Sequence, residues 1–341
     1  MQQTASADVC ALYFGLLTAL GSVACGQASA RLERPGPALT VQSSTLFPET
    51  IEYDPTRAQF LLGSFREGAI YAIDGDGRVS RLVDDPRLCS VLGIAVDAAR
   101  SRLWAVNADL GACSKPSAAG PKQLAAVAMY DLRTGKALGY FDLAPFSQGP
   151  HLLNGIALDE AGNAYVSDSF APALYKIDAQ GHASLLLQNQ LFAGAGINLN
   201  GLAAHPGGYL LVIKKSDGRL FKVPLAQPQQ FSQVRVDRSL VGGDGLLLIG
   251  DRSVVVVANR TPEQTTNAAF ALSSSDDWAS ARVVAEQPLG DDYTTTAVAR
   301  DGKLFAVSSK LNQFIQAPPE DRARMRVPAT IRQIGKVTNE W

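Results

Sequence analysis

Four side chains with oxygen donors recur at the start of similar sequence segments. Asn154 and Asn200 are each followed by a glycine and an alternating apolar run, Asp244 has the same context, and Glu49 begins a further segment of this kind. Carboxylate and amide oxygens are the hard ligands that Ca²⁺ prefers, with water completing the coordination. If these side chains meet, they form a site for Ca²⁺, or alternatively for Zn²⁺, Mn²⁺ or Mg²⁺. Taken alone, each Asn-Gly or Asp-Gly pair is more often a turn or a cap.

The four residues occupy the first position of a repeated unit. Six segments can be aligned, and they begin at Glu49, Leu92, Asn154, Asn200, Asp244 and Thr295. Each consists of a short apolar strand, a polar turn such as residues 159–162, and a second apolar strand, which together predict a hairpin. A third strand follows most hairpins, as at 173–178, and a fourth, such as 182–188, completes the unit. The apolar residues alternate by two, which excludes helical repeats of similar length.

Six units of four antiparallel strands predict an all-β fold, a six-bladed β-propeller spanning residues 31–341. An all-β sandwich is the alternative, but it leaves the shared register of six hairpins unexplained. The innermost strands of a propeller surround a central channel, so that equal positions of different units point at one centre. The sequence therefore predicts a metal site in this channel, where a cation would relieve the repulsion between two carboxylates. Either residues 38–47 or residues 329–337 complete the last blade.

The hairpin series resembles the SMP-30/gluconolactonase/LRE-like family and its relatives, the paraoxonases and the diisopropylfluorophosphatase type. The resemblance rests on Glu in the first unit, Asn-Gly in the third and fourth and Asp-Gly in the fifth, and it covers nearly all of residues 40–315. It implies a catalytic divalent metal on the propeller axis, with Glu49, Asn154, Asn200 and Asp244 as ligands. It also implies that Asp244 acts as base or nucleophile in the hydrolysis of a lactone or related ester.

Further polar residues could orient a substrate beside such a metal. Asn107 and Asp109 follow the second strand of the second hairpin, and Asp168 holds a matching place in the third unit. His151 precedes Asn154 by three residues and could approach the site from a loop, although such a histidine is more often a solvated loop residue. We expect these four residues to bind the substrate.

Composition limits the partners of the chain. Its 341 residues are 46% hydrophobic, and 31 basic and 32 acidic residues are intermixed, so that neither disorder nor a nucleic-acid partner is expected. A small-molecule substrate and a monomeric protein are expected instead. Cys89 and Cys113 are the pair left outside the N-terminal segment. They predict a disulfide, with two unpaired thiols as the alternative.

The N-terminal segment predicts export to the periplasm or the medium. Residues 10–24 form an apolar stretch of signal-peptide length, too short to span a membrane comfortably, and Ala28, Ser29 and Ala30 would place cleavage before Arg31. Residues 1–30 are therefore assigned to a signal peptide, although no basic residue precedes the apolar stretch. A lipid anchor on Cys25 is the alternative.

Two functions remain open from the sequence. The first is an exported metal-dependent hydrolase of a lactone or ester. The second is a non-catalytic propeller that binds a small molecule or a protein, with a structural metal. A fold by itself does not decide between them.

Overall fold

The computed structural model describes residues 27–115 and 117–340, and almost all of the regular structure is β-strand. Two strands come first, β1 (Gln27–Leu32) and β2 (Ala38–Thr40). Three antiparallel four-stranded meanders follow: β3 (Pro48–Asp54), β4 (Gln59–Ser64), β5 (Ala69–Ile73) and β6 (Val79–Val83); β7 (Ser90–Asp97), β8 (Arg102–Ala108), β9 (Ala125–Asp131) and β10 (Ala137–Asp142); β11 (Leu153–Leu158), β12 (Ala164–Asp168), β13 (Ala173–Ile177) and β14 (Ala183–Gln188).

Two more meanders and a terminal group complete the chain. The meanders are β15 (Leu199–His205), β16 (Tyr209–Lys214), β17 (Leu220–Pro224) and β18 (Ser232–Val236), then β19 (Gly243–Gly250), β20 (Ser253–Arg260), β21 (Thr265–Ser273) and β22 (Ser280–Pro288). The terminal group consists of β23 (Thr294–Arg300), β24 (Lys303–Ser308), helices α1 (Leu311–Gln316) and α2 (Pro319–Arg324), and β25 (Thr330–Glu340). Short 3-10 helices lie at Ala98–Arg100, Ala144–Phe146, Gln190–Phe192 and Pro228–Gln230.

The arrangement is propeller-like, but its sheets are not six separate blades. Among the described residues, hydrogen bonding forms five sheets, because β18 pairs in parallel with β22 and joins the fourth and fifth meanders into one sheet of eight strands. The predicted number of separate blades is therefore wrong for the hydrogen-bonded sheets. Nevertheless, the first strands of the units pack side by side in a closed ring, from β3 through β7, β11, β15, β19 and β23 back to β3. This ring encloses the central channel.

Both candidate closing segments enter the last sheet. β25 pairs with β24 on one side, while β1 and β2 pair with β25 on the other. The predicted boundary after Ala30 lies inside β1, whose residues Ala28 to Ala30 pair with residues 337–339. Cleavage there would remove most of this strand. The apolar stretch 10–24 and Cys25 lie outside the described residues. Within residues 27–115 and 117–340 we find no helix with the length and hydropathy needed to cross a membrane.

The core lies between neighbouring sheets. Trp104, Tyr165 and Phe221 are fully buried, and the strands that carry them alternate apolar residues toward adjacent sheets. The predicted disulfide between Cys89 and Cys113 is present, with Cα atoms 5.4 Å apart. Because Cys113 lies in the long loop after β8, the bond fastens that loop beside the start of β7.

Candidate active site on the propeller axis

The four predicted metal ligands come together at one end of the central channel. Glu49, Asn154, Asn200 and Asp244 all line a cavity of about 30 Å³, here called the axial cavity. Each side chain is at most 6% exposed. The same four residues line the channel that continues between the inner strands, so the axial cavity lies at the centre of the ring.

Strand irregularities place these residues. The pairing register shifts between Leu153 and Ile156 and again between Leu199 and Leu202, and the fifth unit has the same shift between Gly243 and Gly245. A shift of this kind is a β-bulge, which redirects a side chain at the end of a strand. Asn154, Asn200 and Asp244 each lie at such a shift, at the start of an innermost strand.

The glycines that follow these residues permit close packing of neighbouring strands. A Cβ atom on Gly155 would lie 2.5 Å from the carbonyl oxygen of Asn200, and one on Gly201 would lie 2.5 Å from that of Asp244. Neither glycine has a positive φ, so glycine is required at these positions because a side chain would not fit, and not because of the backbone conformation. The repeated Asn-Gly pairs are thus strand positions of the inner ring and not hairpin turns.

A buried lysine contacts one of the predicted ligands. Lys215 lies just after β16, and its Nζ is 2.7 Å from Oδ2 of Asp244, with both side chains 4% exposed. Nζ also donates to Oδ1 of Asn259, whose amide in turn donates to Oδ2 of Asp244. Burial alone would lower the pKa of Lys215, but Asp244, Tyr293 and Glu49 together raise it above its usual value. The pair is therefore an ion pair inside the protein.

Glu49 is the second acidic group that lines the axial cavity, and one of its carboxylate oxygens lacks a hydrogen-bond partner among the described residues. This oxygen is Oε2, and it is buried. Burial, followed by the charge of Asp244, raises the pKa of Glu49 well above its usual value, and Lys215 opposes this only in part. A buried carboxyl group without a partner is costly unless it is protonated or meets a cation.

A larger cavity of about 450 Å³, here called the mouth, opens beside the axial cavity. Ile197, Lys215, Tyr293 and Ile315 line both cavities and so form the passage between them. Ile315 belongs to α1, a helix that the strand pattern did not predict. Phe314 anchors α1, because its ring stacks on that of Phe47 with centroids 4.2 Å apart.

Asn107 and Asp109 do not line either cavity among the described residues. The amide of Asn107 is fully buried; it accepts from the backbone N–H of Cys89 and donates to the carbonyl oxygen of Arg87. The carboxylate of Asp109 accepts from Gly111 and Ser117 within the disulfide-bonded loop. Their hydrogen bonds hold the loops around the second unit, and their contact with a substrate stays a prediction.

His151 and Asp168 are brought together, and neither of them is among the residues that line the two cavities. Nδ1 of His151 is 2.8 Å from Oδ2 of Asp168, and both side chains are at most 4% exposed. Oδ1 of Asp168 accepts from the backbone N–H groups of Leu152, Phe170 and Ala171. The carboxylate thus fastens the chain just before Asn154, and the substrate contact of His151 and Asp168 stays a prediction.

Sequence reasoning missed Lys215, Asn259 and Tyr293. A signal for the first was present, because the buried strand "LLVIKK" ends in two lysines where the equivalent strand of the third unit ends in "SDS". Paired residues align Lys214 with Asp168, and hence Lys215 with Ser169. A lysine directly after a fully buried strand needs an acidic partner, and Asp244 is that partner.

Comparison with known proteins identifies the fold. No protein-family model and no curated protein matches the chain. Among solved structures, the Malassezia sympodialis allergen Mala s 1 is similar at a TM-score of 0.68 and 17% identity, over 89% of this chain and 96% of the allergen. The calcium-binding protein regucalcin from Agrobacterium tumefaciens is similar at a TM-score of 0.61 and 14% identity, over 91% of this chain and 96% of regucalcin. The gluconolactonase XC5397 from Xanthomonas campestris is similar at a TM-score of 0.59 and 12% identity, over 90% of this chain and 96% of the gluconolactonase.

The chain has the fold of the SMP-30/gluconolactonase-like proteins. The similarity extends over nine-tenths of the chain, in agreement with the resemblance noted from the hairpin series. At these identities the shared fold does not assign the chemistry of the axial cavity.

Proposed function

We propose that this protein is a hydrolase of a lactone or related carboxylic ester, and that its reaction takes place where the mouth meets the axial cavity. One observation carries the proposal: two carboxylates and two amides, contributed by four different inner strands, line the same small cavity. Gluconolactonase and regucalcin share the fold, which is consistent with this assignment.

The oxygen donors fit a divalent cation. Glu49 has a buried oxygen without a partner, and a hard cation would supply the missing positive charge. We assign Glu49, Asn154, Asn200 and Asp244 as the residues that would hold it, with Ca²⁺ as the first choice and Zn²⁺, Mn²⁺ or Mg²⁺ as alternatives. When bound, such a cation supplies Lewis acidity toward a carbonyl oxygen or a water molecule.

Asp244 is the proposed base or nucleophile. Lys215 and Asn259 both bind its Oδ2, whereas no described residue donates to its Oδ1. One carboxylate oxygen is therefore fixed and the other is available to take a proton from water or to attack a carbonyl carbon. In the metal-free protein Lys215 holds this carboxylate in place through its contact with Oδ2.

The mouth is suited to a small ester with an apolar part. Ile197 and Ile315 give it apolar walls, while Lys215 and Arg260 are positive groups on its lining. Negative charge develops on oxygen during ester hydrolysis, and cations close to the reacting carbonyl stabilise it. We therefore assign substrate binding to this cavity rather than to the region of Asn107 and Asp168.

The test is hydrolysis of a panel of lactones and aryl esters by the purified protein. We expect turnover that is lost with chelator, restored by Ca²⁺ or another divalent cation, and reduced at least 100-fold by Asp244→Asn. Ser280→Ala, far from the axis at the start of β22, is the control variant and retains activity. Absence of turnover over the whole panel, in protein loaded with metal, contradicts the proposal.

A non-catalytic binding protein with a structural metal is the second candidate. It is favoured by the small volume of the axial cavity, about 30 Å³, and by the ammonium group already paired with Asp244. On this hypothesis a chelator lowers the melting temperature while no substrate is turned over.

We also propose that the protein is exported and monomeric. The disulfide between Cys89 and Cys113 supports export, because such bonds persist in oxidising compartments. Cell fractionation with N-terminal sequencing tests export and locates the start of the mature chain relative to β1, and size-exclusion chromatography with light scattering tests the monomer.

A further inference from the structure

The axial cavity contains a positive charge of its own. Nζ of Lys215 is 2.7 Å from Oδ2 of Asp244, and the lysine is 3% exposed. The ammonium thus sits on one of the four residues assigned above as metal ligands. In the metal-free protein this ion pair neutralises Asp244, so that Glu49 is the only carboxyl group of the cavity left without a partner among the described residues.

The equivalent position of the preceding unit carries a neutral side chain. Ser169 aligns with Lys215, and its hydroxyl accepts a hydrogen bond from Nδ2 of Asn154 at 3.2 Å. A neutral residue at this position is therefore able to orient an adjacent ligand. The positive charge of Lys215 is a feature of the fourth unit and is not required by the repeat.

We propose that Lys215 is a built-in competitor for the divalent cation: its ammonium occupies the cation's place on Asp244, and a metal binds only when Nζ moves away toward the mouth. The inference deepens the proposed function and rests on its four metal ligands. Two cations on the same carboxylate repel each other strongly where water is scarce, so both cannot keep full contact with Asp244.

A path for this movement exists. Lys215 lines both the axial cavity and the mouth, so its side chain already borders the larger space. Tyr293 stands at the same passage, with its ring centroid 5.5 Å from Nζ. An aromatic face stabilises an ammonium group, and it offers the displaced lysine a second contact.

The consequence is that removing the charge of Lys215 strengthens metal binding. The experiment measures the dissociation constant for Ca²⁺ by isothermal titration calorimetry on the full chain after treatment with chelator, at one ionic strength. Lys215→Met removes the charge, and Lys215→Gln removes it while keeping a hydrogen-bond donor, in case the first variant does not fold. Lys214→Gln is the matched control, because it removes a buried lysine whose Nζ binds the carbonyl oxygen of Ala193 at 2.7 Å instead of a proposed ligand.

We expect at least tenfold tighter binding in both Lys215 variants than in the wild type, including the case in which only the variants bind measurably, and less than threefold change in Lys214→Gln. Equal binding by the wild type and the Lys215 variants overturns the role of Lys215 while leaving the metal site and the hydrolase proposal standing. No binding by any form, with Mn²⁺ and Mg²⁺ titrated as well, overturns this inference together with the four-ligand site.

Discussion

The ion pair between Lys215 and Asp244 makes a sharp prediction about stability. Neutralising one partner leaves the other charged inside the protein, whereas neutralising both leaves no unpaired charge. At 2.7 Å and an effective dielectric constant of about 20, the attraction between the two charges is of the order of 6 kcal/mol before desolvation is considered. Breaking a buried pair from one side typically costs about 3–5 kcal/mol.

We therefore expect Asp244→Asn and Lys215→Met each to lower the free energy of unfolding by about 3–5 kcal/mol. The double variant should lose markedly less than the sum, with a coupling energy of about 2–4 kcal/mol. Asn259 moderates part of the loss in each single variant. In Lys215→Met its Nδ2 still donates to Asp244, and in Asp244→Asn its Oδ1 still accepts from Lys215.

The assay is urea denaturation of the wild type, both single variants and the double variant, in the presence of chelator so that metal binding does not contribute. An exposed pair provides the control. Arg238 and Glu286 also form a salt bridge, but their side chains are 58% and 40% exposed, so a coupling energy below about 1 kcal/mol is expected there. A coupling energy for Lys215 and Asp244 as small as that of the exposed pair would refute the description of a dry, buried ion pair.

Three further outcomes are expected. Replacing Cys89 and Cys113 with alanine should lower the free energy of unfolding by about 3 kcal/mol, since the bond closes a loop of 24 residues, and a reductant should shift the wild type to the same urea midpoint; an unchanged midpoint in both would contradict this. Gly201→Ala should lower the free energy of unfolding by about 2–3 kcal/mol, because the new Cβ would lie 2.5 Å from the backbone of the neighbouring inner strand. In Gly75→Ala the new Cβ would meet no atom of a non-adjacent described residue within 4 Å, so urea denaturation should show a change within about 0.5 kcal/mol. Burial raises the pKa of Glu52 from 4.5 to about 7, so its contribution to stability is present below pH 4.5 and is lost as the pH rises through about 7. Thermal unfolding from pH 4 to 8 should show the wild type losing stability relative to Glu52→Gln, by at most about 3 kcal/mol, and parallel curves would argue against the shift.

Much of the inner ring could be predicted from the sequence because it depends on local patterns. Alternation by two assigns one face of each strand to the core, and a repeated position maps to a repeated place in a ring. For this reason Glu49, Asn154, Asn200 and Asp244 line one cavity, although their binding of a metal stays a prediction. The cysteine count was sufficient for the disulfide because Cys89 and Cys113 were the pair outside the N-terminal segment.

The number of sheets was not determined by these patterns. The parallel pairing of β18 with β22 joins two outer strands that are separated along the chain by β19, β20 and β21. No local residue preference specifies this pairing. Similarly, α1 has no strong helical pattern; it is held over the cavity by the contact between Phe314 and Phe47, which are distant in sequence.

The sequence by itself determined which residue types meet on the axis, because strand periodicity and repeat length are local properties of the chain. Only the tertiary structure decided what each polar side chain contacts. Asp168 forms hydrogen bonds with His151 and with backbone amides, and Asn107 forms one with the backbone of Cys89. Both follow the rule that buried polar groups are paired inside the protein. Lys215 pairs with Asp244 for the same reason, because a charge buried between strands of different units requires an opposite charge nearby. The packing of the units decides which opposite charge is close enough.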